Sequence, residues 1–285
     1  MNTHENDSLT ITLSDGRTLG YALYGNPKGS PVFYFHGWPG SRLRSKVIAD
    51  AATQANVYLI TPDRPGYGIS TFQPKRTLLD WANDVNELAT SLSLKKFSVL
   101  GVSGGGPYTA VCAHELSDRL KNAGIVVGLA PPYMPKTLDG MNLFTKFGYR
   151  YYRTFPILAQ LGALYQMILA QYFTKFTALN YPADVDKAMV KKLHADIIEN
   201  DREAFRQGFK GAALDLMLYS RHWGFELSNI KTNVHLWYGD ADKNVPLSMA
   251  HTYKNQIPSS TLTIYPNEGH FVSVTHAQEI LERIK

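Results

Sequence analysis

The sequence predicts an α/β fold built on a mostly parallel sheet with helices on both faces. Three observations carry that prediction. Short apolar runs without alternation recur along the chain, the pattern of strands buried on both faces. Stretches with a helical apolar stripe lie between several of them. One long stretch without a clear strand, 131–230, then interrupts the rhythm.

Leu9 to Leu13 alternates apolar and polar, "SDGR" supplies a tight turn, and Leu19 to Tyr24 resumes the strand pattern, which together predict an N-terminal hairpin. Six further strands follow: "PVFYFHG" (Pro31–Gly37), "ANVYLITPD" (Ala55–Asp63), "FSVLGVS" (Phe97–Ser103), "AGIVVGLAP" (Ala123–Pro131), "NVHLWYGD" (Asn233–Asp240) and "STLTIYP" (Ser260–Pro266). Leu78, Leu79, Trp81, Ala82, Val85, Leu88, Ala89 and Leu92 form a helical stripe. Other helices are expected from Gly105 to Leu120 and, just after Pro246, from Leu247 to Ile257. The strand-free stretch falls between the sixth and seventh strands and is rich in aromatic residues. It reads as a helical cap, 131–230, inserted into a core formed by 1–130 and 231–285. Insertions at the carboxyl edge of a parallel sheet cover the usual ligand crevice, so substrate contacts are expected from it. Its most apolar part, Phe155–Phe173, is interrupted by Gln160, Gln166 and Gln171. That pattern suits an amphipathic helix over a pocket rather than an integral membrane segment.

A chain of 285 residues suits one large domain, or one with an inserted subdomain. With 44% hydrophobic and 19% charged residues, the composition is that of a globular protein and excludes a disordered chain. The net charge of +5 is mild, and the basic residues are scattered apart from pairs such as Lys95-Lys96 and Lys191-Lys192. A nucleic-acid binder gathers such residues into a stripe, so no nucleic-acid partner is expected. The lone cysteine, Cys112, allows no intramolecular disulfide and sits among apolar neighbours as a small buried hydrophobe would. The polar start "MNTHENDSLT" lacks a signal peptide's apolar stretch, which makes a cytoplasmic location the expectation. There is no H-E-x-x-H and no cysteine pair, so no metal site is expected. No dinucleotide fingerprint can be placed on "GVSGGGP" and no P-loop occurs, so no cofactor is expected.

The chemistry centres on "VLGVSGGGP", Val99–Pro107. Gly101-Val102-Ser103-Gly104-Gly105 fits G-x-S-x-G, with a strand before it and a helix after it. A serine at the tip of that turn needs a positive φ, which costs free energy for a non-glycine residue. The chain doubles back there, so side chains at Gly101 and Gly105 would collide. The turn holds the hydroxyl at the sheet's edge and puts the Gly104 N–H at a helix N-terminus, where developing negative charge is favoured. The same five residues also fit a serine that merely caps the helix. A nucleophilic serine needs a base, and the base an orienting acid. "YGDADKNVP" follows the strand at Asn233 and "PNEGHF" follows the strand at Ser260, giving the chain order Ser, Asp, His.

With these residues the chain resembles α/β-hydrolase-fold proteins over essentially its whole length. The matching blocks are "FHGWPGSR" (Phe35–Arg42), "DRPGYGIS" (Asp63–Ser70), "GVSGG" (Gly101–Gly105), "GDADKNVP" (Gly239–Pro246) and "EGHF" (Glu268–Phe271). The resemblance implies that Ser103 is the nucleophile and His270 the general base and then acid. It implies Asp242 as the orienting acid, because the family's G-x-x-D-x-x-V-P falls on Gly239, Asp242, Val245 and Pro246. Asp240 is the rival acid and is expected to shape the loop. "HGWPG" resembles the family's oxyanion segment, which implies the backbone N–H groups of Trp38 and Gly104 as donors and the Trp38 indole as a wall of the acyl pocket. His36 and Gly37 are then loop scaffold, Gly101 and Gly105 permit the sharp turn, and "DRPGYGIS" packs behind, with Asp63 and Arg64 as scaffold. His114, His222 and His235 are expected to be surface or satisfied core histidines. The aromatic residues from Phe144 to Phe176 are expected to be mostly cap core, some lining the pocket.

The implied reaction is acyl transfer to water, with a carboxylic ester of a small to medium, mostly apolar molecule as substrate. The family also holds lactonases, aminopeptidases, carbon–carbon bond hydrolases and cofactor-free haloperoxidases, which stay open. Its haloalkane dehalogenases and epoxide hydrolases use an aspartate nucleophile, and Ser103 stands against both. Proline iminopeptidases carry "HGGPG", close to "HGWPG" here, and hold the substrate amine with cap acids, for which Glu199, Asp201, Glu203 and Asp215 are the candidates. An alternative of another class is a catalytically silent small-molecule receptor.

Overall fold

A computed structural model describes residues 6–285. Eight strands form one sheet: β1 (Asn6–Thr12), β2 (Thr18–Gly25), β3 (Ser30–Phe35), β4 (Val57–Pro62), β5 (Phe97–Val102), β6 (Leu120–Val126), β7 (Val234–Gly239) and β8 (Ser260–Tyr265). Their order is β1-β2-β4-β3-β5-β6-β7-β8. The β1/β2 hairpin and the β2/β4 pair are antiparallel, and every later pair is parallel. β5 is buried along its whole length, and β3 and β4 along most of theirs, as strands covered on both faces are. β8 departs from that expectation: most of its residues are exposed or half-buried, because an edge strand has a neighbour on one side only.

The core helices are α1 (Ala49–Gln54), α2 (Asp80–Ser91), α3 (Gly106–Glu115), and, after the insertion, α9 (Leu247–Gln256), α10 (Val272–Thr275) and α11 (Ala277–Ile284). α1 packs with α11, and α2 with α3, covering the two faces. The apolar stripe of α2 turns Trp81, Ala82, Val85, Leu88 and Ala89 inward, as its spacing predicts. α3 stops at Glu115, earlier than the expected Leu120, because Leu120 already pairs with Phe97 at the start of β6. β6 likewise begins and ends earlier than the apolar run suggests. Its first turn outward carries the exposed Lys121, and after Val126 the backbone of Val127 swings to φ +42° and leaves the sheet.

Between β6 and β7 the described residues form helices and turns: α4 (Leu143–Tyr151), α5 (Pro156–Tyr172), α6 (Lys187–Lys192), α7 (His194–Ala204) and α8 (Lys210–Ser220), with short 3₁₀ turns at Thr174–Asn180 and Asp184–Asp186. α5 packs on α7 and α8, burying Ala159, Ala163, Leu169 and Ala170. Among the described residues no helix is long and apolar enough to cross a membrane.

Candidate active site

The candidate residues leave the carboxyl ends of four parallel strands, and so share one edge of the sheet. β3 leads into His36, Gly37 and Trp38, β5 into Ser103, β7 into Asp242, and β8 into His270. Strand order reverses beside β3, with β4 on one side and β5 on the other, and crevices form at such switch points.

Ser103 has φ +55°, a left-handed conformation that costs a non-glycine residue roughly 1–3 kcal/mol. Its surroundings show why glycines flank it. A Cβ on Gly101 would lie 2.2 Å from Thr109 Oγ1 and 2.3 Å from the Gly105 carbonyl oxygen. A Cβ on Gly105 would lie 2.2 Å from the Phe35 carbonyl oxygen. The Ser103 carbonyl accepts from Leu129 N–H at 3.0 Å, which ties the turn to the chain beyond β6.

The "HGWPG" loop runs alongside. A Cβ on Gly37 would sit 3.8 Å from Ser103 Oγ, and one on Gly104 would sit 3.1 Å from Trp38 N, so the two predicted amide donors are neighbours. The Trp38–Pro39 peptide is cis. The Trp38 indole N–H donates to the Ala212 carbonyl in α8 at 2.9 Å, and its ring packs on a cluster containing Tyr67, Ala163 and Ala213. His36 is buried. Its Nε2 accepts from Arg64 N–H at 3.3 Å, so its Nδ1–H donates to the Gly37 carbonyl at 2.9 Å. Burial, and after it the Arg64 guanidinium, push its pKa well below the ordinary histidine value, which keeps the ring neutral. Arg64 also donates to the carbonyls of His36 and, at 2.9 Å, Gly37. Asp63 is paired with Arg42 at 2.8 Å. These contacts hold the loop from behind.

His270 Nδ1 lies 2.7 Å from Asp242 Oδ2. A proton on Nδ1 satisfies that contact and leaves the Nε2 lone pair to act as base. Asp242 is buried, and its other oxygen accepts from the N–H groups of Asn244 at 2.7 Å and Val245 at 3.0 Å, which aims the carboxylate. Asp240 Oδ1 accepts from Asn267 N–H at 2.7 Å and joins the two loops. Burial disfavours the His270 cation, but the charge and hydrogen bond of Asp242, and then the charge of Asp186, outweigh it and raise the pKa above the ordinary value.

Asp186 carries no signal in the sequence, and Asp215, a candidate cap acid there, has a setting that the sequence does not display. Asp186, in a 3₁₀ turn before α6, accepts His270 N–H at 2.9 Å, and its carboxylate occupies the space a Cβ on Gly269 would need. Asp215, on α8, is the centre of a buried network. It meets Arg64 at 2.9 Å, Arg76, and the hydroxyls of Tyr67 at 2.8 Å, Tyr108 at 2.5 Å and Tyr219 at 3.1 Å. The Tyr219 hydroxyl lies 2.7 Å from where a Gly104 Cβ would be, so this network abuts the candidate oxyanion amides. The other proposed cap acids also face basic groups: Glu203 meets Arg42 at 2.6 Å and Glu199 meets Lys46 at 3.6 Å. Asp201, buried and near Arg44, has its pKa raised by burial to about 6.

His114 stacks on Phe225, His222 is exposed beside Glu226, and His235 bonds Thr261 at 3.0 Å, all outside this cluster. Cys112 is buried, which pushes its thiol pKa well up. Two surface cavities, one lined by His235, Trp237 and Glu279 and the other by Arg42, His194 and Arg202, lie away from Ser103.

The chain is 24% identical over 277 residues to a non-heme haloperoxidase of Rhodococcus erythropolis, covering 95% of each. Its fold resembles a bromoperoxidase from Bacillus anthracis, with TM-score 0.74, 22% identity and 97% of each chain covered. It also resembles a thermophilic esterase from Thermogutta terrifontis, with TM-score 0.69, 19% identity, and 97% and 96% covered. A sequence profile described as the alpha/beta hydrolase fold matches residues 30–277, and with a mostly parallel eight-stranded sheet beneath that match the chain belongs to the alpha/beta hydrolase family.

Proposed function

We propose that the protein is a serine hydrolase that cleaves a carboxylic ester of a small to medium, mostly apolar molecule. The observation that carries this reading is the Asp242–His270 pair, 2.7 Å apart, on the same sheet edge as a serine held at positive φ. In this reading His270 Nε2 takes the Ser103 proton, and Ser103 Oγ attacks the ester carbonyl carbon. The N–H groups of Trp38 and Gly104 hold the oxyanion, a contribution of about 3–4 kcal/mol for one such donor elsewhere. The tetrahedral intermediate collapses, and His270 returns the proton to the departing alcohol. Water, deprotonated by His270, then attacks the acyl-enzyme and releases the acid and Ser103. The helices at 131–230 serve as a cap over this edge, with the Trp38 indole as one wall.

The haloperoxidase of Rhodococcus erythropolis favours a second reading, in which peroxide replaces water at the acyl-enzyme. An iminopeptidase reading is weakened by the cap acids, since the charge of Glu199, Glu203 and Asp215 is engaged by Lys46, Arg42, Arg64 and Arg76. The test is a panel of p-nitrophenyl esters of graded acyl length, lactones and aminoacyl-arylamides, with and without peroxide and halide, alongside fluorophosphonate labelling. Ester turnover and labelling are expected in the wild type, and both are expected to vanish in Ser103→Ala. Labelling without turnover of any substrate would instead indicate a receptor.

A further inference from the structure

The outer face of the insertion is apolar in a patterned way. On α5, Ile157, Leu161, Tyr165, Ile168 and Tyr172 are all exposed, and their spacing of four, four, three and four places them on one stripe. The opposite stripe of the same helix is the one buried against α7 and α8. On the preceding helix, α4, Leu143, 85% exposed, and Phe147 are exposed as well, four residues apart. A large apolar face of this kind marks an interaction surface.

Charge identifies the occupant. The chain has 24 acidic residues, yet none falls between 140 and 183, where Lys146, Arg150, Arg153 and Lys175 lie. The acids that bound the stretch are already paired: Asp139 with Lys146 at 3.8 Å and Asp184 with Lys187 at 2.6 Å. Arg202 adds a further cation at the end of α5, where it donates to the Ala170 and Gln171 carbonyls. An apolar stripe roughly 25 Å long, carrying tyrosines and lying in a stretch of chain whose unpaired charges are basic, matches the headgroup boundary of a bilayer. We propose that the α4–α5 face docks onto a membrane surface containing anionic phospholipid, with α5 lying in the plane of the interface. The docking is independent of the reaction at Ser103.

The experiment is flotation of the full chain with vesicles of phosphatidylcholine alone or with phosphatidylglycerol at three parts in ten. The wild type is expected to bind the anionic vesicles at least about tenfold more strongly than the neutral ones, since each basic residue near the surface adds to the attraction. Salt at 0.5 M is expected to weaken that preference, as roughly a Debye length of 4–5 Å implies. Ile157→Glu with Leu161→Glu is expected to lose binding to both vesicles while unchanged circular dichroism shows it folded. Arg150→Gln with Arg153→Gln is expected to lose the anionic preference alone. Absence of wild-type binding to either vesicle overturns the proposal. So does a wild type that dimerises through this face without binding vesicles, since that makes a second copy the occupant. Vesicle binding that survives the Ile157→Glu, Leu161→Glu change also overturns it.

Discussion

Asp240 and Asp242 stand two residues apart in one loop, and their surroundings give them different work. Two backbone amides hold Oδ1 of Asp242, so its Oδ2 is aimed at the imidazole. Asp240 accepts a backbone N–H from the neighbouring loop, and an asparagine oxygen can accept that same bond. In the proposed mechanism Asp242→Asn therefore lowers kcat on a p-nitrophenyl ester by about 10⁴, because an amide favours the wrong imidazole tautomer and no longer stabilises the cation. Asp240→Asn is expected to change kcat little. The opposite ranking would make Asp240 the orienting acid. Gly239, where this loop begins, fits closely against the loop of His270: a Cβ there would lie 2.1 Å from the Glu268 carbonyl oxygen.

At the scale of elements, the 3₁₀ turn at Asp184–Asp186 reaches from the insertion to the loop after β8. Asp186 binds the His270 backbone and adds negative charge near the ring. In the proposed mechanism His270 works as a base only when neutral, and its pKa is raised, so kcat/KM is expected to climb through a value above the ordinary 6.5 and plateau at higher pH. Asp186→Asn keeps an acceptor for the backbone but removes an anion that favours the cation, so the acid limb is expected to move to lower pH with the plateau largely kept. A pH–rate profile with an unmoved limb would reduce Asp186 to a backbone anchor. The part of Asp186 was not legible in the sequence, because it meets a residue 84 positions away and belongs to no local pattern. What was legible is what local rules encode: apolar runs for β3, β4 and β5, the α2 stripe, and the glycines around Ser103. The ends of α3 and β6 were misplaced because strand pairing, which a sequence does not display, decides them.

Across the whole molecule, the insertion and the sheet are joined by contacts that are polar and buried. Asn200 accepts from Ser41 N–H at 2.9 Å, Glu203 pairs with Arg42, Ala212 accepts from the Trp38 indole, and Asp215 binds Arg64 and Arg76. Such ties predict that the two parts unfold together, and Asp215 is where the argument is sharpest. Burial disfavours its charge, but the guanidinium groups of Arg64 and Arg76 outweigh that cost and hold its carboxyl well below the usual carboxylate range. A depressed pKa contributes stability that is complete above the unfolded-state value and is lost only as pH falls toward the folded-state one. Asp215→Asn leaves two buried guanidinium groups without their carboxylate, a change worth about 3–5 kcal/mol when one partner of a buried pair is removed. Urea unfolding at pH 7 is expected to show that loss in a single transition reported alike by near- and far-ultraviolet circular dichroism. The gap between wild type and variant should narrow as the pH is taken below the carboxylate range, because the wild type then loses the same charge. A gap of under about 1 kcal/mol at pH 7 would place the network among screened surface pairs. Two separated transitions would mean that the insertion folds on its own and that these contacts only dock it.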